Sequence, residues 1–377
     1  MYGLVLAGGG AKGAYQIGVW KALKELNIEI SLAVGTSIGA LNGALVAQND
    51  YDLAEELWLN MSIHSVFSAD QEILDGLSNA LNKHIFKNDI SFYRKLYSYI
   101  SENKGLDISP LRTNIQSRLD EDKLMKSNID FGFVTYSINE RKPLKLFKND
   151  IKKGEMKYYL LGSALVPGFS QDKNFPVKFI DGGIHDRFPI QMAIDKGCKD
   201  IIAVETGFKK LKKYTGANIT YIIPSEDTGN FLFFDRDRSR RNLSLGYLDA
   251  MKTFEKLYGI NYFFESDISD NQILRSLMKI SSCKLQDLST KSMDTEIVTI
   301  KQLLEVELPY LSKKLGIKNA SSYKETIVTM LEYMLKLNEV ERLKVYTYNE
   351  AIQLIDKVYN QNCIEKTVLK LLKQIFR

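Results

Sequence analysis

The apolar positions of this chain change rhythm along its length. Residues 3–7 form an apolar run too short for a helix, and it meets a cluster of glycines at once, as a buried strand does. Beyond that cluster Ile17, Trp20, Leu23 and Leu26 recur near helical spacing. A second apolar run, residues 32–35, stops at Thr36-Ser37, and the small residues Ala40, Gly43, Ala44 and Ala47 then predict another helix. Strand, helix, strand, helix in that order is the pattern of a mainly parallel sheet with crossover helices. Residues 51–118 read as mainly helical, and strands return at 130–138 and 144–147. A further helix should end near Ser163-Ala164, where Pro167-Gly168 breaks the chain. Residues 177–180 form a short strand running into Asp181-Gly182-Gly183, and 201–205 and 219–223 read as the last strands. Beyond about residue 260 glycine thins out and amphipathic runs dominate, which predicts a 1–260 α/β domain followed by a helical region over 261–377.

Composition narrows the function classes. With 377 residues, 45% hydrophobic and 26% charged, the chain is ordinary for a folded protein of one large or two unequal domains. A net charge of +5 suits contact with anionic lipid but is no nucleic-acid signature. Cys198, Cys283 and Cys363 are scattered, as free thiols in a reducing compartment are, and His64, His84 and His185 are equally dispersed, so no metal site is expected. No basic n-region precedes the first apolar run and no uncharged stretch approaches the ~20 residues of a membrane span. A cytoplasmic protein with at most peripheral membrane contact is therefore expected.

Three short segments carry chemistry. Gly35-Thr36-Ser37-Ile38-Gly39 is a G-x-S-x-G pentapeptide in a predicted strand-to-helix turn. So tight a turn leaves no room for side chains two positions either side of the serine, and it presents that serine at a helix N-terminus, where negative charge is favoured. The second segment is Gly8-Gly9-Gly10-Ala11-Lys12-Gly13, whose bare backbone lets N–H groups converge on an anion. Gly8, Gly10 and Gly13 also satisfy the dinucleotide G-x-G-x-x-G, but Glu29 precedes the second strand instead of closing it. A phosphate-binding P-loop fails because Ala14-Tyr15 follow Gly13. The third segment is Asp181-Gly182-Gly183 at a strand end, either a carboxylate facing the ligand crevice or a plain Asp-Gly turn.

Taken together these segments resemble the patatin-like phospholipase family. That family carries a glycine-rich oxyanion loop containing Arg or Lys, a G-x-S-x-G serine, a block ending in proline and a D-G-G/A aspartate. Gly8 to Gly13 with Lys12, Gly35 to Gly39, Ser163 through Pro167-Gly168, and Asp181-Gly182-Gly183 match in that order, within residues 1–225. The resemblance implies a three-layer α/β/α fold and cleavage of acyl esters of phospholipids or lysophospholipids, without metal or cofactor. It further implies Ser37 as nucleophile, Asp181 as its base, and an oxyanion hole in the Gly9–Gly10 region. Phe169-Ser170-Gln171-Asp172 depart from the prolines that relatives often carry, which bears on the acyl pocket and not on the pair.

Several alternatives stay open on sequence. His185, four residues after Asp181, is the candidate for a Ser-His pair and reads more simply as a loop residue before Pro189. Lys12 is either a source of positive potential or a solvated first-turn residue. An acyltransferase would use the same serine, and a silent lipid-binding protein would keep the fold alone. Phe231-Leu232-Phe233-Phe234 before Arg236, Arg238, Arg240 and Arg241 suit a lipid interface, a lid, or a core-facing strand end followed by a solvated loop into a helix over 242–257. In the last segment Val368, Leu371, Leu372 and Ile375 share one side, so it either packs on its domain or lies on a membrane. An activator or other protein partner of this region is not readable.

Overall fold

A computed structural model describes residues 1–82, 90–171, 175–208, 211–280, 299–317, 320–356 and 363–376. His84, Asp172, Cys283 and Arg377 lie outside the described residues. The chain divides into two compact units, Met1–Ala250 and Met251–Arg377. The first closes near the end of the helix Arg236–Thr253, ahead of the residue 260 at which composition changes.

The first unit is built on a seven-stranded sheet: β1 Tyr2–Leu6, β2 Ile30–Thr36, β3 Asp130–Ser137, β4 Lys142–Phe147, β5 Phe179–Asp181, β6 Asp200–Val204 and β7 Asn218–Ile222. The order is β4-β3-β2-β1-β6-β7, with β5 also paired to β3. All pairs are parallel except β3–β4 and β3–β5. Successive residues point to opposite faces, and both faces are apolar. Val5, Val34, Val134, Ile201 and Ala203 bury against Ile190, Met192 and Ala193, which belong to the helix Ile190–Asp195. Leu4, Leu6, Ala33, Phe131, Phe133 and Ile202 are buried from the opposite face, and the helix Ile38–Ala47 packs on β2 and β3. A sheet covered on both sides is what makes its strands read as continuous apolar runs. The architecture is therefore the three-layer α/β/α arrangement with a mainly parallel sheet.

Residues 51–118 contain the helices Tyr51–Leu59, Ile63–Val66, Gln71–Asn82, Ile90–Glu102 and Ser109–Arg118. The helix expected over 242–257 instead runs from Arg236 to Thr253. Asp235 starts it early: its carboxylate accepts from the Arg238 N–H at 2.9 Å, so the arginine cluster occupies the first turns of a helix and not a loop.

Among the described residues the second unit is mainly helical, with a two-residue parallel pairing of Phe263–Phe264 with Val345–Tyr346 and an antiparallel bridge between Tyr258 and Phe264. Its core draws on Ile273, Leu331 and Ile352 together with Val368, Leu371, Leu372 and Ile375 of the helix Cys363–Phe376. The apolar side of that last helix is thus occupied within its own unit. The buried Glu332 carboxylate accepts the backbone N–H groups of Ile260, Asn261 and Tyr262, fixing the entry of the chain into this unit.

Candidate functional site

Sheet order creates the site. The chain moves from β1 outward through β2 and β3, then returns to the other side of β1 with β6 and β7. A crevice opens at such a switch point, beyond the carboxyl ends of the strands. The glycine loop leaves β1 there, Ser37 leaves β2, and Glu205-Thr206 leave β6. Glu29 lies at the opposite end of β2, where its carbonyl accepts from the Tyr2 N–H, so the acid that the dinucleotide pattern would use for a ribose is remote from the loop.

Register then sets the serine beside the aspartate. Thr36 of β2 pairs with Val134 of β3, and β5 takes over at the next position, where Thr135 pairs with Asp181. Ser37 follows Thr36 directly. Its hydroxyl donates to Asp181 Oδ2 at 2.5 Å, with Ser37 8% and Asp181 7% exposed. Asp181 Oδ1 accepts the Gly183 N–H at 2.7 Å, which fixes the carboxylate plane. Burial raises the Asp181 carboxyl above its ordinary value, and the hydrogen bonds from Ser37 and Gly183 partly offset this.

The turn at Ser37 is strained. Its φ of 56° and ψ of −128° form a conformation that side-chain-bearing residues rarely adopt. The flanking glycines are required by close approach. A Cβ on Gly35 would lie 2.1 Å from the Gly39 carbonyl oxygen, and one on Gly39 would lie 2.3 Å from that of Leu6. Ser163, at the end of the helix Met156–Ser163, holds the turn from behind. Its hydroxyl accepts the Ser37 N–H at 2.9 Å and donates to the Val134 carbonyl at 2.6 Å.

In the glycine loop, amides differ in availability. Gly8 N–H donates to the Arg187 carbonyl and Ala11 N–H to the Phe231 carbonyl. Those of Gly9 and Gly10 have no protein acceptor among the described residues, and both residues line the cavity that holds Ser37. Gly10 has φ +56°, and a Cβ there would meet the Phe231 carbonyl oxygen at 2.0 Å. Gly13 lies outside the cavity lining, and its carbonyl accepts from Asn42 Nδ2, which also donates to Gln16.

The loop is braced by residues that no local pattern marks. Arg187 Nη1 donates to the Gly8 carbonyl at 2.9 Å and to Glu205 Oε1 at 2.7 Å, while Nη2 pairs with Glu205 Oε2. Thr206 Oγ1 donates to the same Gly8 carbonyl at 3.0 Å, and the Thr206 N–H returns to Glu205. With its carbonyl tied down on two sides, the peptide between Gly8 and Gly9 is held in one orientation.

The cavity, of 390 Å³, is lined by Ser37, Asp181, the glycine loop and apolar side chains including Leu41, Val166 and Phe169. Lys12 and Pro167 line it, Pro167 from an exposed position and Lys12 with its Nζ near Gly207. Gly183 is in the lining, and Gly182 is buried outside it. Phe231, Leu232 and Phe234 belong to the lining in an irregular segment, so this stretch is neither a strand end nor detached from the site. His185 is exposed and outside the lining, and His64 is likewise exposed. Among the described residues no three His, Cys, Asp or Glu side chains come together to hold a metal ion. No helix among them is long and apolar enough to cross a membrane.

The family described as patatin-like phospholipase matches residues 4–194. Lysophospholipase NTE1 of Kluyveromyces lactis is 27% identical over 209 residues, 54% of this chain and 12% of its own length. Lysophospholipase nte1 of Aspergillus terreus is 62% identical over 47 residues, 12% of this chain and 3% of its own. This chain thus matches only a small part of those much longer relatives. The crystal structure of VipD from Legionella pneumophila aligns over 99% of this chain and 84% of its own, at a TM-score of 0.40 and 15% identity, a loose likeness.

Proposed function

Because the chain belongs to the patatin-like phospholipase family, we propose that it is a lipid acyl hydrolase working through Ser37 and Asp181. The observation that carries this reading is the 2.5 Å Ser37–Asp181 hydrogen bond, set in an apolar cavity beside the two uncommitted amides of Gly9 and Gly10.

The Ser37 oxygen attacks the ester carbonyl carbon as its proton passes to Asp181 Oδ2. The carbonyl oxygen, now negative, is received by the Gly9 and Gly10 N–H groups, which are already oriented. Collapse breaks the bond to the alcohol, which takes the proton back from Asp181 and leaves the acyl group on Ser37. Water then repeats the sequence, with Asp181 again accepting the proton, and releases the fatty acid. An ordinary carboxylate, pKa ~3.9, is a weak base for an alcohol. The burial that raises Asp181 brings it closer to its task.

Relatives named lysophospholipases point to monoacyl phospholipids as the substrate class. The mouth of the cavity supports peripheral contact with a lipid surface. Ile184, Phe208 and Phe231 are 54%, 65% and 44% exposed, and Ile184 and Phe231 also line the cavity. Arg236 is exposed two residues after Phe234.

The test is fatty-acid release from mixed phospholipid and lysophospholipid vesicles by wild type, Ser37→Ala, Asp181→Asn and His185→Ala. Release by wild type and His185→Ala alone is expected. A folded but inactive His185→Ala protein would overturn the Ser-Asp assignment. Absence of release and of fluorophosphonate labelling at Ser37 would overturn the hydrolase reading.

A further inference from the structure

Behind the catalytic cavity lies a second one, of 70 Å³, lined by Leu45, Leu57, Trp58, Ile115, Leu119 and Leu160 among others. The two share four lining residues, Ile38, Leu41, Met61 and Leu111. Resting on the hydrolase reading, we infer that the second cavity receives the distal part of a long acyl chain, and that Met61 and Leu111 form a yielding partition that sets chain length.

The helix Ile38–Ala47 gives the path its direction. Ile38, Leu41 and Leu45 follow one another at helical spacing on one face, starting at the residue after the nucleophile. From Ile38 to Leu45 that face runs roughly 10 Å away from the reacting carbon. A hydrocarbon attached to Ser37 through its carbonyl finds an apolar wall along this line.

The chemistry of the second cavity selects hydrocarbon over polar ligands. Its polar neighbours are already satisfied: Trp58 Nε1 donates to Asn42 Oδ1, Asn42 Nδ2 donates to Gly13 and Gln16, and Asn114 Nδ2 donates to the Ser65 carbonyl. Arg118, at the rim, pairs with Glu56. A mainly apolar space whose polar neighbours are already engaged in these bonds offers little to a headgroup or to water, whereas methylenes gain by leaving water.

The partition is built to give way. Met61 is unbranched and readily changes rotamer. Leu111 and Ile115 sit on the helix Ser109–Arg118, which has no fully buried residue and is therefore lightly anchored. Shifting either opens one cavity to the other without disturbing Ser37 or the glycine loop.

The experiment measures kcat/KM for 4-nitrophenyl esters from butyrate to palmitate in a fixed non-ionic detergent, using the full chain. Wild type should improve by about fourfold for each methylene that enters the second cavity. Ile115→Trp fills that cavity, so it should match wild type on butyrate and fall at least about tenfold below it on palmitate. Leu111→Ala removes the partition and should shift the optimum toward longer chains. Thermal melts establish that each variant is folded, and the two variants move the profile in opposite directions. Unchanged profiles in both folded variants, with short esters still cleaved, would overturn the inference and leave the hydrolase reading intact. No cleavage of any ester by folded wild type would overturn that reading and this inference with it.

Discussion

Replacing Arg187 with methionine should destabilise the first unit far more than replacing Arg187 and Glu205 together. The Glu205 side chain is 2% exposed and is held by Arg187 through both carboxylate oxygens. Removing the guanidinium leaves a carboxylate that keeps only the Thr206 N–H at 2.8 Å. Breaking one half of a buried pair costs about 3–5 kcal/mol, because the remaining charge is stranded away from water. For a unit of this size each kcal/mol moves Tm by roughly 2–4 °C, so a fall of roughly 6–20 °C is expected. Changing Glu205 to glutamine in the same protein removes the stranded charge and should recover much of that loss. The Gly8 carbonyl would keep Thr206 Oγ1 but lose Arg187, so hydrolysis should weaken in both variants even where stability returns. Urea denaturation at neutral pH gives the stabilities, and ester hydrolysis at saturating substrate gives kcat. An Arg187→Met protein within about 1 kcal/mol of wild type, or a double variant as unstable as the sum of the singles, would refute the reasoning.

Four further outcomes follow from the same geometry. Ser37→Gly should be at least as stable as Ser37→Ala in thermal melts, although alanine usually gains about 0.5–1 kcal/mol over glycine, because the positive φ costs a Cβ-bearing residue about 1–3 kcal/mol. The Asp181 carboxyl is raised above 3.8, so hydrolysis should fail as pH drops through that raised value, seen as an acid limb in kcat/KM above the ordinary carboxylate range. Its contribution to stability is greatest below the unfolded value and is lost as pH rises through the folded one. Asp181→Asn should therefore melt higher than wild type at pH 7 while being inactive. Gly10→Ala drives a methyl into the Phe231 carbonyl at 2.0 Å and should lower kcat about 10²–10³-fold by displacing an oxyanion donor, with Ser37 still labelled by a fluorophosphonate.

How much of this was legible in sequence depends on whether the constraint is local. Gly35 and Gly39 are imposed by a turn only five residues long, and Gly10 by a single backbone carbonyl, so steric demand writes itself into residue type. The central strands β1, β2, β3 and β6 were legible because both their faces are buried, which makes each a nearly continuous apolar run. Ser163 was seen only as part of a block. Its bond to Ser37 N–H spans 126 residues, and a serine at a helix end has many uses. Arg187, Glu205 and Thr206 were not anticipated at all. Arg187 and Thr206 meet the Gly8 carbonyl across 179 and 198 residues, Glu205 reaches the loop only through them, and no local pattern marks any of the three. The arginine cluster at 236–241 was misplaced for the reverse reason: its composition resembles a solvated loop, while the single Asp235 cap that begins the helix was overlooked.

The pairing of Thr135 with Asp181, one step beyond the pairing of Thr36 with Val134, has a consequence in time. The hydroxyl and its carboxylate are 144 residues apart, and both are laid against β3. On the proposed chemistry, a chain emerging from the ribosome exposes the serine turn early but has no base for it until Asp181 has followed and β5 has paired with β3. The glycine loop is unbraced until Glu205 arrives later still. On that reading the growing polypeptide would stay inert toward lipid esters until the sheet is nearly whole, and competence to cleave would report completed folding.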